Sequence, residues 1–274
     1  MSDTEVNKTC QSTSREYEQS RFSVPHHVLR SEQVYGTGFQ SPGGLTTFQQ
    51  VLLPELPLEM GQLILDVGCG LGGAAFYLTK AYAVNVVGLD LSDTMLSIAE
   101  ERQRQWDSSG RIKFVRGTVF SPELQPGSFD AVYSQDTFMY VADKPASLAR
   151  LAQLLKPGGK LVISDFCRGQ TTPLLEDYVN ISGLDLVTVP AYAVMMEAAG
   201  FTDVIARDIS ADTAKRLRHD LDNYLRLVSS KTDVLESDKE HLVARWNHKI
   251  GLLETLTLAQ GLLCASTTSL EEGF

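Results

Sequence analysis

Cysteine is scarce and scattered: the four, Cys10, Cys69, Cys167 and Cys264, form no Cys-x-x-Cys pair. That spacing excludes a disulfide framework and a zinc cluster, and it fits a reducing, cytoplasmic setting. The five histidines show no metal-ligand spacing either, and His26 and His27 are adjacent, so their side chains diverge. No metal is expected. Basic residues are the minority, 24 Lys and Arg against 34 Asp and Glu, for a net charge of −10. That balance argues against a nucleic-acid or anionic-membrane partner, because phosphate recognition needs a basic surface. No apolar run reaches membrane-spanning length, the polar start does not read as a signal peptide, and no internal repeat is visible. The 274 residues are 43% hydrophobic. That suits one large domain with an insertion, or two small ones.

The informative stretch is Leu63-Ile64-Leu65-Asp66-Val67-Gly68-Cys69-Gly70-Leu71-Gly72-Gly73. Apolar residues run into an acid, then into a glycine-dense turn, then into a helix beginning near Ala74. This predicts a buried parallel strand that turns sharply, with backbone open to a ligand where no Cβ intervenes. A second apolar strand, Val84 to Asp90, ends in an acid 24 residues past Asp66 (90 − 66). An acid at that tip is placed to accept hydrogen bonds from ribose hydroxyls. A carboxylate at Asp66 suits a cationic amino-acid ligand, whereas a dinucleotide needs its pyrophosphate at a clear helix N-terminus.

In chain order, residues 1 to about 20 are polar and read as a frayed arm. A glycine-rich loop spans 34–44, and a helix from Leu45 to Leu53 is ended by Pro54 and Pro57. After the first two strands, Ser92 reads as the N-cap of a helix from Thr94 to about Arg104. Further strands are predicted at Ile112–Val115, Phe129–Ser134 and Lys160–Asp165, the last launched by the turn Lys156-Pro157-Gly158-Gly159. A helix from Pro145 to Leu155 precedes that turn. A helix from about Ala191 to Ala199, a strand at Val204–Asp208, a charged helical span over 211–257 and a strand at Gly261–Ser266 follow. The alternation predicts an α/β fold, a seven-stranded mostly parallel sheet with helices on both faces.

The string Asp-Val-Gly-Cys-Gly-Leu-Gly-Gly (66–73) resembles the first motif of class I S-adenosylmethionine-dependent methyltransferases. That implies their Rossmann-like fold, with S-adenosyl-L-methionine as cofactor and S-adenosyl-L-homocysteine as product. From Tyr35 to Ser266 the chain resembles, within that class, the phosphoethanolamine N-methyltransferase group. The segments carrying this are Tyr-Gly-Thr-Gly-Phe-Gln-Ser-Pro-Gly-Gly (35–44), Tyr-Ser-Gln-Asp-Thr (133–137), Lys-Pro-Gly-Gly (156–159), Ile-Ser-Asp-Phe-Cys (163–167) and Trp246-Asn247-His248-Lys249. The resemblance implies that Gln40, Ser41, Asp66, Gly68 and Gly70 meet the cofactor's amino-acid end and that Asp90 and Leu91 hold its ribose. Thr118, with the backbone of Val119, stands where the group has an acid for adenine, and Gln135 stands where it has an arginine. It also implies residues 1–33 as arm and lid and 34–274 as the catalytic domain, with a helical insertion at about 209–258. The arm offers a route to a homo-oligomer.

The acceptor half departs from the group. Its two lid tyrosines fall on Ser23 and Ser31, its histidine on Tyr140 and a phosphate-holding tyrosine on Phe166. An Arg-x-Tyr pair falls on Ser182 and Leu184, and only Lys249 matches. An anionic phosphate buried without its arginine is heavily penalised, so the expectation is that phosphoethanolamine is not the acceptor. The remaining lining, Phe39, Phe138, Met139, Tyr140, Phe166, Tyr178 and Leu184, suits an apolar molecule. Each of these alone reads equally as core packing; as a set they favour a pocket. Asp136 and Tyr140 are the candidate catalytic residues, as base or as cation stabiliser. The leading expectation is therefore methylation of an apolar specialised metabolite, at carbon of a prenyl, terpenoid or prenylated indole acceptor. An N-methyltransferase of a small amine such as phosphoethanolamine or sarcosine is the alternative, and a non-catalytic cofactor-binding protein is the second.

Overall fold

Seven strands form one sheet in the order β3-β2-β1-β4-β5-β7-β6. They are β1 (Leu63–Val67), β2 (Asn85–Asp90), β3 (Ile112–Arg116), β4 (Phe129–Gln135), β5 (Leu155–Arg168), β6 (Thr202–Asp208) and β7 (Leu258–Ser266). Strands β1 to β5 pair in parallel, and β7 runs antiparallel between β5 and β6. This is the expected seven-stranded, mostly parallel Rossmann-like sheet. The computed structural model describes residues 25–107, 109–229 and 236–269. The expectations for the arm over residues 1 to 20 and for Ser23 lie outside them, as do those for the side chains of His26 and His27.

Nine α-helices are described among these residues. They are α1 (Pro25–Tyr35), α2 (Gly44–Thr47), α3 (Gly73–Tyr82), α4 (Asp93–Trp106), α5 (Lys144–Leu154), α6 (Pro173–Ser182), α7 (Val189–Ala198), α8 (Ser210–Ser229) and α9 (Glu236–Glu254). One face of the sheet packs Ile64, Val86 and Val162 against Phe48, Leu52 and Leu78. The other packs Leu65, Leu161 and Ile163 against Leu148, Leu151 and Met196. Fully burying each such side chain stabilises by about 1.5–3 kcal/mol. A third cluster, with Leu175, Leu217, Tyr224, Trp246 and Leu253, joins α6, α8 and α9 over the end of the sheet. No described helix is long and apolar enough to cross a membrane.

Three predicted elements take a different form. The helix from Leu45 to Leu53 is one α-turn, then a π-turn over Phe48–Leu52 and a 3-10 turn over Leu53–Glu55. Pro54 has no N–H to continue the α ladder, and the widened turn absorbs the break. Strand β5 begins at Leu155, before Lys156-Pro157-Gly158-Gly159. Gly158 takes a φ of +74°, and the pairing with β4 shifts register there, so the four residues are an irregularity inside a strand. The charged span over 211–257 is two antiparallel-packed helices, α8 and α9, inserted between β6 and β7.

Candidate active site

The C-terminal tips of β1, β4 and β2 open into a cavity of about 1010 Å³. Gly68, Gly70 and Gly72 all have positive φ after β1, which turns the backbone under this opening. A Cβ at Gly68 would lie 1.9 Å from Thr137 Oγ1. The turn after β1 therefore packs directly on the loop after β4, which carries Asp136 and Tyr140. A Cβ at Gly73 would lie 2.6 Å from Gly38 O, whose oxygen accepts a 3.2 Å bond from Gly73 N–H. Close backbone approach thus ties the loop 36–44 to the first helix turn.

Asp66 is the central group. It is 3% exposed and lines the cavity. Burial raises its pKa to about 7, held down partly by the nearby Tyr133 hydroxyl and pushed further up by Asp90. That hydroxyl completes no hydrogen bond of ordinary geometry. Among the described residues no cation forms a salt bridge with Asp66. Asp90 accepts from Gly70 N–H at 2.9 Å on one oxygen and from Ser92 N–H at 2.9 Å on the other. The Asp90 carboxylate also lines the cavity. Leu91 is 66% exposed at the rim, an uncommon place for leucine unless an apolar surface covers it. Thr118 and Val119 line the same end, as does Gln135.

The loop and helix above the cavity are held by contacts distant in sequence. Gln40 Nε2 donates to Val28 O at 2.8 Å, and Glu32 receives Arg102 of α4 through both guanidinium nitrogens at 2.5 and 2.7 Å. The Gly43 N–H donates to Asp220 of α8 at 2.7 Å, and Trp246 Nε1 of α9 donates to the Tyr35 hydroxyl at 2.9 Å. Burial raises the Asp220 pKa to about 6, against the Gly43 N–H and the charges of His219 and Arg216.

The structure gathers nearly all of the expected site residues. Phe39, Gln40, Ser41, Asp66, Gly68, Gly70, Asp90, Leu91, Thr118, Val119, Gln135, Asp136, Phe138, Tyr140, Phe166, Tyr178 and Lys249 all line one cavity. Leu184 does not. Gly183 caps α6 with φ +65°, and the turn carries Leu184 into the helical cluster instead. The expectation of an apolar acceptor lining, with Lys249 its one matching cation, is met only in part. Arg30 from α1, Asp177 from α6, and Arg245, His248 and Lys249 from α9 also line the cavity. Lys249 Nζ sits 4.3 Å from the centre of the Phe166 ring, a cation–π contact. Sequence reading missed Arg30, which no quoted motif contains, and Arg245, which directly precedes the Trp246-Asn247-His248-Lys249 segment. The helical spacing of Arg245 and Lys249 was the available signal, since residues four apart share a face.

Residues 65–163 match the family described as methyltransferase domain. Phosphoethanolamine N-methyltransferase 1 of Arabidopsis thaliana is 40% identical over 229 residues, covering 81% of this chain and 45% of that protein. The chain spans about half the length of the curated plant relatives it matches. Among solved structures, Haemonchus contortus phosphoethanolamine N-methyltransferase 2, in complex with phosphomonomethylethanolamine and S-adenosylhomocysteine, superposes with a TM-score of 0.85. It is 23% identical, with 93% of this chain and 60% of that one covered. Geranyl diphosphate C-methyltransferase of Streptomyces coelicolor superposes with a TM-score of 0.64 at 18% identity, covering 79% and 78%. Residues 65–163 are thus similar to a methyltransferase domain, in a chain that has the class I S-adenosylmethionine-dependent methyltransferase fold and is similar in sequence to the phosphoethanolamine N-methyltransferases.

Proposed function

We propose that the protein is an S-adenosyl-L-methionine-dependent N-methyltransferase whose acceptor is a small amine with an anionic group at its other end, of the phosphoethanolamine or sarcosine kind. The observation that carries this reading is the charge layout of one cavity. Asp66, Asp90 and Asp136 stand at the ends of β1, β2 and β4, while Arg30, Arg245 and Lys249, with one acid, Asp177, stand on the outer helices α1, α6 and α9. An amine with an anionic tail fits that polarity head first. The sequence relatives support the same choice, and they outweigh the expectation of carbon methylation.

The residues present fit the cofactor. Asp66, buried without a cationic partner, would receive its ammonium group, and the turn at Gly68 and Gly70 leaves room for its amino-acid end beside Gln40 and Ser41. The Asp90 carboxylate would take the ribose hydroxyls, and Leu91, Thr118 and Val119 would flank adenine. Bound there, S-adenosyl-L-methionine supplies an electrophilic methyl group on its sulfonium. Rate then depends mainly on how the chain orients the nucleophile in a dry site. Asp136 and Tyr140, adjacent on the loop after β4, are the groups that would hold the amine nitrogen and accept its proton. Arg30, Arg245 and Lys249 would hold the anionic end; such charge-assisted bonds are roughly twice as strong as neutral ones.

A second reading follows from the aromatic wall of Phe138, Tyr140, Phe166 and Tyr178: methylation at carbon of an apolar acceptor, with those rings facing a developing cation. Assaying phosphoethanolamine, sarcosine and a prenylated indole side by side with methyl-labelled cofactor separates the two. Label on nitrogen of either anionic amine is the expected result. Label on the indole alone would replace the first reading with the second, and no S-adenosylhomocysteine with any acceptor would point to a non-catalytic cofactor-binding protein.

A further inference from the structure

Beside the main cavity, sharing Pro42, Gln135 and Asp136 with its walls, lies a chamber of about 10 Å³ also lined by Thr47, Ser164, Arg216 and Gln260, among others. Three fully buried polar atoms on its walls have no hydrogen-bond partner: Thr47 Oγ1, Arg216 Nη1 and Gln260 Oε1. They come from three distant parts of the chain, namely α2 beside the lid loop, α8 of the insertion and β7 of the sheet. Such a volume is about that of one water-sized probe, and buried waters usually have two to four polar partners. One donor (Arg216), one acceptor (Gln260) and one hydroxyl that is both match what a single water offers and needs.

Gln260 connects this chamber to the site. It is 3% exposed, and its Nε2 donates to Asp136 Oδ1 and to Ser164 Oγ, each at 2.9 Å. Because a carboxylate only accepts, the amide nitrogen must face Asp136 and the oxygen must face the chamber. Asp136 itself has φ +53°, a backbone state that non-glycine side chains adopt at a cost. Its N–H donates to Ser164 O at 2.8 Å. The strained residue is therefore held at its backbone by β5 and at its side chain by Gln260.

We propose that the chamber binds one ordered water, bridging Thr47, Arg216 and Gln260, and that Gln260 is a positioning residue which uses this bridge to set the Asp136 carboxylate toward the acceptor. Thr47 of α2 and Arg216 of α8 thereby bear on the acceptor site through the water. The inference rests on the reading of Asp136 as an acceptor-side group.

Two crystallographic arms and one kinetic arm test it. In crystals of the protein with S-adenosylhomocysteine, at a resolution showing ordered solvent, one water should lie within hydrogen-bonding distance of all three atoms. A dry chamber, or Thr47, Arg216 and Gln260 re-paired with protein groups, overturns the proposal. In the Gln260→Leu variant the Asp136 carboxylate should leave its position. The kcat of methyl transfer should fall roughly tenfold to a hundredfold, the loss expected for a misplaced reacting group. S-adenosylhomocysteine binding should stay within about twofold, since no cofactor-side contact is altered. An unmoved Asp136 with unchanged kcat overturns it. If Gln260→Leu does not fold, Thr47→Val removes a single partner of the water; it should lower water occupancy and kcat together, and no change in either counts against the proposal. Should no amine be methylated by the unaltered protein, the functional reading fails on its own, while the water and the Asp136 geometry are still decided by the crystals.

Discussion

The floor of the cavity and its outer wall are built in opposite ways. The floor is made of three neighbouring strand ends and a glycine turn, with Asp66 and Asp90 fixed by parallel pairing of β1 with β2. The wall is made of helices α1, α6 and α9, whose cavity-facing residues meet only through packing between segments as distant as Tyr35 and Trp246. A floor made from strand ends and the turns that follow them is set by local sequence. A wall made from scattered helices can change its chemistry residue by residue while the floor stays the same.

Breaking the floor should cost most. Asp66→Ala removes the acid that would pair with the cofactor's ammonium; cofactor affinity is expected to fall at least about a hundredfold, as for one lost partner of a buried charge pair. Calorimetric titration with S-adenosylhomocysteine measures this. Next comes the wall: Arg30→Ala with Lys249→Ala should raise the acceptor KM roughly tenfold or more, in line with loss of charge-assisted bonds, while cofactor affinity stays within about twofold.

A smaller effect separates the two regions by pH. Asp66 is raised to about 7 in the free protein. A cation bound beside it favours the carboxylate, so its pKa falls on binding and a proton is released below pH 7. Cofactor affinity should therefore weaken as pH drops through 7, with proton release seen as a buffer-dependent binding enthalpy. The same raised pKa means that the folded protein holds a proton longer than the unfolded chain, so Asp66 makes a contribution that lowers apo-protein stability as pH rises from about 4 to about 7. The smallest effect is expected from Leu184→Ala. Leu184 packs with the helical cluster and not on the cavity, so acceptor KM should not move, while a modest fall in Tm registers the lost packing.

Most of the fold was legible in the sequence because central parallel strands are continuous apolar runs that end in punctuation. Asp66 followed by glycines, Asp90 followed by the Ser92 cap, and the Pro126-Gly127 turn before β4 are examples. Strand β5 was read short because Lys-Pro-Gly-Gly carries every mark of a turn, and only the pairing of Leu155 and Lys160 with β4 on either side keeps it inside the strand. The cofactor half of the site was legible for the same local reason. The acceptor half was read through substitutions at the positions of the group it resembles, which showed the charge lost at Ser182. That reading could not show the charge gained at Arg30 and Arg245. Arg245 and Lys249 leave a helical spacing in the chain, but nothing in the sequence joins Arg30 to them.

The central claim is that this wall of cations selects an acceptor with an anionic end. Titrating phosphoethanolamine and plain ethanolamine into the protein loaded with S-adenosylhomocysteine tests it most directly. The account predicts that the phosphorylated amine binds at least about tenfold tighter, the value of a single charge-assisted contact, and that the gap closes in the Arg30→Ala, Lys249→Ala double variant. Equal binding of the two amines, or a gap that survives the double variant, would contradict it.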